Sequence, residues 1–205
     1  MRSKSQIASW GLAFVGICLA IVGYFGPWIP HKAAALTVTG SELSWFSKPF
    51  GLPSRELFVL PLIAAGVVFS LTAQRYIARP LARFGVVVLG ILVILASTPI
   101  YDSIFSPEYR RQLILMAVGG VLVVLTLFAP RLPHRVWGVL IVLLALGILP
   151  ALWQFAAFQP RVAALYKGAI GVGWGLIVCL IGFALLLVRG ILAAVNPSLF
   201  ATSPR

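Results

Sequence analysis

The feature that most limits what this chain can become is the grouping of its apolar residues. They fall into blocks of about twenty, at residues 9–29, 55–74, 80–100, 110–128, 136–158 and 165–189, parted by short stretches rich in Arg, Pro, Ser and Thr. About twenty helical residues is what a bilayer core of roughly 30 Å requires, because every backbone polar group in lipid must bond within its own segment. A soluble core has no room for such a chain. Hydrophobic residues make up 61% and charged ones only 10%, against roughly 25% charged in an ordinary soluble domain. The expected fold is therefore all-α: a single polytopic transmembrane helix bundle over residues 1–205, of about six spans, with a short interfacial helix in the first outer loop.

Local sequence punctuates these blocks. The first follows Arg2 and Lys4 and is bracketed by Trp10 and Trp28. Those tryptophans lie about 27 Å apart on a helix, the spacing of interfacial anchors. Ala33 and Ala35 make a passable cleavage pattern, but the apolar stretch exceeds the core of a signal peptide, so it reads as a retained span. In the outer segment, residues 30–53, Thr39-Gly40-Ser41-Glu42 has the form of a capping box. The short helix expected after it carries Leu43, Trp45, Phe46 and Phe50. Ser54 is placed to cap the second span, Pro80 to open the third, and Ser106-Pro107-Glu108 to lead into the fourth. Pro150, inside the fifth, predicts a kink or local unwinding. The sixth span begins after Pro160, and Gly171 with Gly175 forms a small-xxx-small pair on one face, the mark of close helix packing.

Charge orients the bundle. With the N-terminus inside, the inner segments hold Arg2, Lys4, Arg75, Arg79, Arg83, Arg131, Arg135, Arg189 and Arg205, and no acid. The outer segments hold Lys32, Lys48, Arg55, Arg110, Arg111, Arg161 and Lys167 with all four acids. The net is +9 against +3, accounting for the formal +12. Short, purely basic loops stay cytoplasmic, so both termini are expected in the cytoplasm. The same clustering argues against nucleic acid as a partner, since no basic stripe is interleaved with exposed aromatics. Tyr76, Trp137, Tyr24, Trp45, Tyr101, Tyr109, Trp153 and Tyr166 join Trp10 and Trp28 as expected belt residues near the two interfaces. Cys18 and Cys179 both fall in apolar blocks and imply no disulfide framework.

The chemistry on offer is narrow. No Asp, Glu, Lys or His stands in the middle of an expected span, which disfavours proton relays and charged-ion pathways. There is no phosphate-binding G-x-x-x-x-G-K-[ST] loop, no H-E-x-x-H zinc helix and no G-x-S-x-G nucleophile elbow. His31 and His134 fall on opposite sides of the membrane and cannot share a metal. No cofactor is expected, and no catalytic residue. One polar constellation offers a ligand site: Ser97, Thr98, Tyr101 and Asp102 at the outer end of the third span, Gln154 beyond Pro150, and His31 with Glu42 in the outer segment. Together they could line a shallow outward-facing pocket, mostly apolar with a few polar groups. The competing reading bonds Ser97 and Thr98 to their own helix backbone and spends Gln154 on a single interhelical bond.

The stretch Gly26-Pro27-Trp28-Ile29-Pro30-His31-Lys32, followed by Leu36-Thr37-Val38-Thr39-Gly40, resembles a segment of uncharacterised bacterial multi-pass membrane proteins, some associated with ABC-type exporters. The resemblance covers about fifteen residues and carries no catalytic residue. It implies a bacterial plasma-membrane protein with an accessory or permease-like role beside a separate ATPase. The function expected first is a non-enzymatic membrane subunit that packs in the bilayer against another membrane protein or a second copy, as the accessory part of a transporter. The alternative is a small permease or binding protein for a neutral or lipophilic molecule, using the outer pocket.

Overall fold

The computed structural model describes residues 4–30, 37–76, 79–97, 107–129, 132–166 and 170–196. Among these the protein is all-α apart from one minimal strand pair. Its helices are α1 (Lys4–Phe25), α2 (Leu43–Phe46), α3 (Leu60–Leu71), α4 (Pro80–Leu95), α5 (Arg110–Phe128), α6 (His134–Ala145), α7 (Leu149–Tyr166) and α8 (Trp174–Val195). Tight 3-10 turns at Arg55–Val59 and Thr72–Tyr76 lengthen α3 at both ends. Four helical stretches are long and apolar enough to cross a membrane: Arg55–Gln74, Arg110–Phe128, His134–Leu165 and Trp174–Val195. Trp10–Phe25 and Pro80–Leu95 are shorter apolar helices.

The fifth and sixth rods differ from the sequence expectation. A 3-10 turn at Leu146–Ile148 joins α6 to α7, and Pro150 falls in the first turn of α7. The proline has no amide hydrogen to give to the preceding turn, and the regular α ladder is interrupted by the 3-10 turn just before it. The helix then runs through Pro160 to Tyr166, where the sequence reading places a break, and α8 starts at Trp174 rather than near residue 165. Phe158 and Val162, both fully buried, anchor the helix on each side of Pro160. Packing thus holds a helix that local propensity would end. Gly171 consequently precedes α8, where a Cβ on it would touch only Cγ of Pro30, and it does not pair with Gly175 on a helix face.

Glycine decides how close the rods come. A Cβ on Gly175 would meet the Gly26 carbonyl oxygen at 2.6 Å, and one on Gly182 the Gly16 carbonyl oxygen at 2.6 Å. Helices α1 and α8 therefore lie backbone to backbone, antiparallel. Gly138 of α6 and Gly190 of α8 repeat the arrangement, with a Cβ on Gly138 falling 2.6 Å from the Gly190 oxygen. Gly66 of α3 and Gly90 of α4 do so again, at 2.8 and 2.9 Å. Small residues are how helices gain dispersion contact where burial from water supplies little drive. Two apolar clusters result, one joining α1, α6, α7 and α8 and the other α4 and α5; α3, the most enclosed of the four long apolar stretches, contributes to both.

The connections sort to two ends. At one, here the basic end, Leu132 N–H donates to Gln74 Oε1 at 3.3 Å, and Trp10 meets Trp137 edge to face at 5.4 Å. At the other, the cap end, β1 (Pro27–Ile29) pairs antiparallel with β2 (Val38–Thr39), and Gly173 N–H donates to Trp28 O at 2.9 Å. There Glu42 reaches back to accept from Thr39 N–H at 2.9 Å, as a capping box requires, but the Thr39 hydroxyl also donates to Glu42 instead of capping α2. Ser54 does not cap with its side chain either. It sits in the left-handed region, φ 55°, and turns the chain into the 3-10 helix.

Candidate functional site

At the cap end, aromatic packing seats the segment 37–53 on the bundle. Phe46 and Phe50 lie 6.0 and 5.2 Å from Phe158 of α7, ring centre to ring centre, and Arg161 donates to Phe50 O at 2.7 Å. Trp28 is fully buried, edge-on to Phe155 at 5.8 Å, with its indole N–H on Gly23 O at 3.1 Å. Tyr24, Trp28, Tyr109 and Trp137 are thus core residues and not belt residues, because each ring finds an aromatic, cationic or backbone partner inside the fold. Trp45 and Trp153, exposed at 60% and 76%, do face outward.

Of the candidate ligand residues, His31, Thr98, Tyr101 and Asp102 lie outside the described residues. Ser97 is buried. Its hydroxyl donates to Ile94 O at 2.7 Å, within its own helix turn, and its carbonyl accepts from Gln112 Nε2 at 3.1 Å. Glu42 is exposed and committed to Thr39. Gln154 is buried on α7, and its Oε1 has no hydrogen-bond partner. Ser97, Glu42 and Gln154 therefore make no hydrogen bond to one another.

The basic end holds the features that the sequence did not point out. Arg83, on the first turn of α4, reaches across to the end of α5. Its Nη2 donates to Thr126 O at 2.7 Å and to Ala129 O at 2.9 Å. A guanidinium thus covers carbonyls that have no helical partner and offsets the partial negative charge of a helix C-terminus. Between α5 and α6 an open groove of about 320 Å³ runs toward this arginine. Its floor is Val67 and Leu71 of α3; its walls are Leu122 and Leu125 on one side and Leu140 and Leu143 on the other. Thr126 and Ala129, the residues bound to Arg83, line its end. Arg189 is the second feature. Taken from sequence as part of an inner segment, it lies within α8, only 2% exposed, with its guanidinium 4.6 Å from the Trp137 ring centre. Spacing along one strand of sequence could not reveal either arrangement, since both partners come from distant helices.

Among the described residues, no group of three or more His, Cys, Asp or Glu side chains is placed to hold a metal, and both cysteines are free. The fold and its surfaces define the class: an all-α protein whose long helices have the length and apolarity to cross a membrane. Compared with protein-family models, curated proteins and solved structures, the chain matches none.

Proposed function

We propose that the chain is a six-span integral membrane subunit of the bacterial plasma membrane, with both termini cytoplasmic. It is non-enzymatic, and it packs against another membrane protein as the accessory part of a transporter. The observation that carries this reading is the outward apolar surface. Phe14 and Val22 of α1, Leu89 and Leu92 of α4, Val118 and Val121 of α5, and Ile177 and Ile181 of α8 are all about half exposed. Water would penalise such faces at about 25 cal/mol per Å², whereas lipid or a partner helix does not. The purity of the basic end supports the orientation: among the described residues, Arg79, Arg83 and Arg135 have no acid beside them there, whereas Lys48, Arg55, Arg110, Arg111 and Arg161 share the cap end with Glu42 and Glu56. Helix α5 supports a lateral partner. It is the least enclosed of the four long apolar stretches, with Ala117 and Gly120 among its exposed or half-exposed residues.

Extraction in a mild detergent, followed by mass spectrometry of what co-purifies, tests the proposal. A membrane protein retained in stoichiometric amount is the expected result. A lone monomer at every protein concentration would overturn the subunit reading. The second reading, a permease or binding protein for a neutral or lipophilic molecule, rests on the orphan carbonyl of Gln154. A rise in melting temperature with such a ligand, lost in Gln154→Ala, would favour it.

A further inference from the structure

We propose that the groove between α5 and α6 binds one acyl chain of an anionic glycerophospholipid, whose phosphate is held by the arginines of the basic end. This inference rests on the membrane reading above and adds a ligand to it. The groove is lined almost wholly by Leu and Val, so nothing along its length selects for a polar molecule. Its one hydroxyl, on Thr126, is already spent on Val123 O at 2.6 Å. At about 320 Å³ the space suits a single flexible chain. The groove opens sideways, where a lipid tail would enter without crossing water.

The identity of the headgroup follows from charge. A phosphate beside the C-terminus of a helix is ordinarily repelled by the free carbonyls. Here Arg83 covers the carbonyls of Thr126 and Ala129, which line the groove end, and offsets their partial negative charge. Arg79, immediately before α4, and Arg135, at the start of α6, are both exposed, and no acid stands at this end among the described residues. A zwitterionic headgroup would leave that surplus uncompensated; a net negative one neutralises it. Leu132, whose N–H is tied to Gln74, lines the groove at this level, where the headgroup would join its tail.

The test uses the full chain, purified and delipidated, titrated separately with phosphatidylglycerol and phosphatidylcholine of identical acyl chains and read by native mass spectrometry. Phosphatidylglycerol should bind more tightly. Arg79→Gln combined with Arg135→Gln should cut that preference by about twenty-five-fold, at roughly fivefold for each near-surface cation removed. Leu143→Trp, at an exposed wall position, should block both lipids; should that variant fail to fold, Leu125→Trp on the facing wall serves. Equal affinity for the two lipids, or binding untouched by the arginine pair or by the plug, would overturn the inference. Failure of the membrane reading shows separately, as release of the unmodified chain from native membranes by alkaline carbonate.

Discussion

A Cβ placed on Gly23 would stand 2.6 Å from the Cα of Cys179. Atoms at that distance cannot coexist, and the obstacle is backbone, which has no rotamer to change. The approach of α1 to α8 therefore depends on hydrogen at this position. Gly23→Val should lower stability by about 3 kcal/mol, the upper part of the usual overpacking range, measured as thermal unfolding in detergent. Gly11→Ala is the control. Nothing lies within 4 Å of its Cβ, so it should be neutral or stabilise by up to about 1 kcal/mol.

Arg83 joins α4 to the end of α5 through two carbonyls. Arg83→Met removes both bonds and should cost about 2 kcal/mol, as expected for hydrogen bonds from a charged donor. Arg83→Lys should restore only part of this, because an ammonium is more strongly hydrated than a guanidinium and loses more on leaving water. Equal stability of Arg83→Met and wild type would deny the cap its role.

Arg189 and Trp137 invite a double-mutant cycle. With the guanidinium 4.6 Å from the indole, Arg189→Met and Trp137→Leu should show a coupling of about 1–2 kcal/mol, in the range for desolvated cation–π contacts. Additive losses would mean the stacking contributes nothing.

Gln154 carries a buried oxygen without a partner. Gln154→Leu keeps the volume and removes the stranded group, so it should raise stability by about 1 kcal/mol. A loss instead would mean that the amide is satisfied by a bound molecule, as the second functional reading requires.

Orientation has its own check. In intact cells, a membrane-impermeant maleimide should label Glu42→Cys and leave Arg135→Cys unmodified until the membrane is opened. Both positions are exposed and lie at opposite ends. Labelling in the reverse order would invert the proposed topology.

How much was legible beforehand depended on the range of the determinant. Helical rods follow from apolar blocks of sufficient length, which is a local property, and α1, α3, α4 and α5 fall inside the expected blocks or near them. The Glu42 half of the capping box was also readable, because its partners are three residues apart. Pro160 misled, since a proline's tendency to end a helix is local while the burial of Phe158 and Val162 that overrides it is not. Gly175 faces Gly23 and Gly26, some 150 residues away, and no spacing rule on α8 alone could have chosen those partners over Gly171. Arg189 looked like a loop charge for the same reason: the ring that shelters it belongs to another helix. Of the proposed outer pocket, Ser97, Glu42 and Gln154 can be placed, and each has a separate environment.

The rod His134–Leu165 holds 32 residues. At 1.5 Å per residue it measures about 48 Å, well beyond the roughly 30 Å of hydrocarbon it would cross. Leaning over would conceal the surplus, but Arg161 near its tip is exposed and bonded to Phe50 O, and a cation there needs water. The helix would stand proud of the membrane instead, a mast to which the segment 37–53 is lashed by two phenyl rings and one guanidinium.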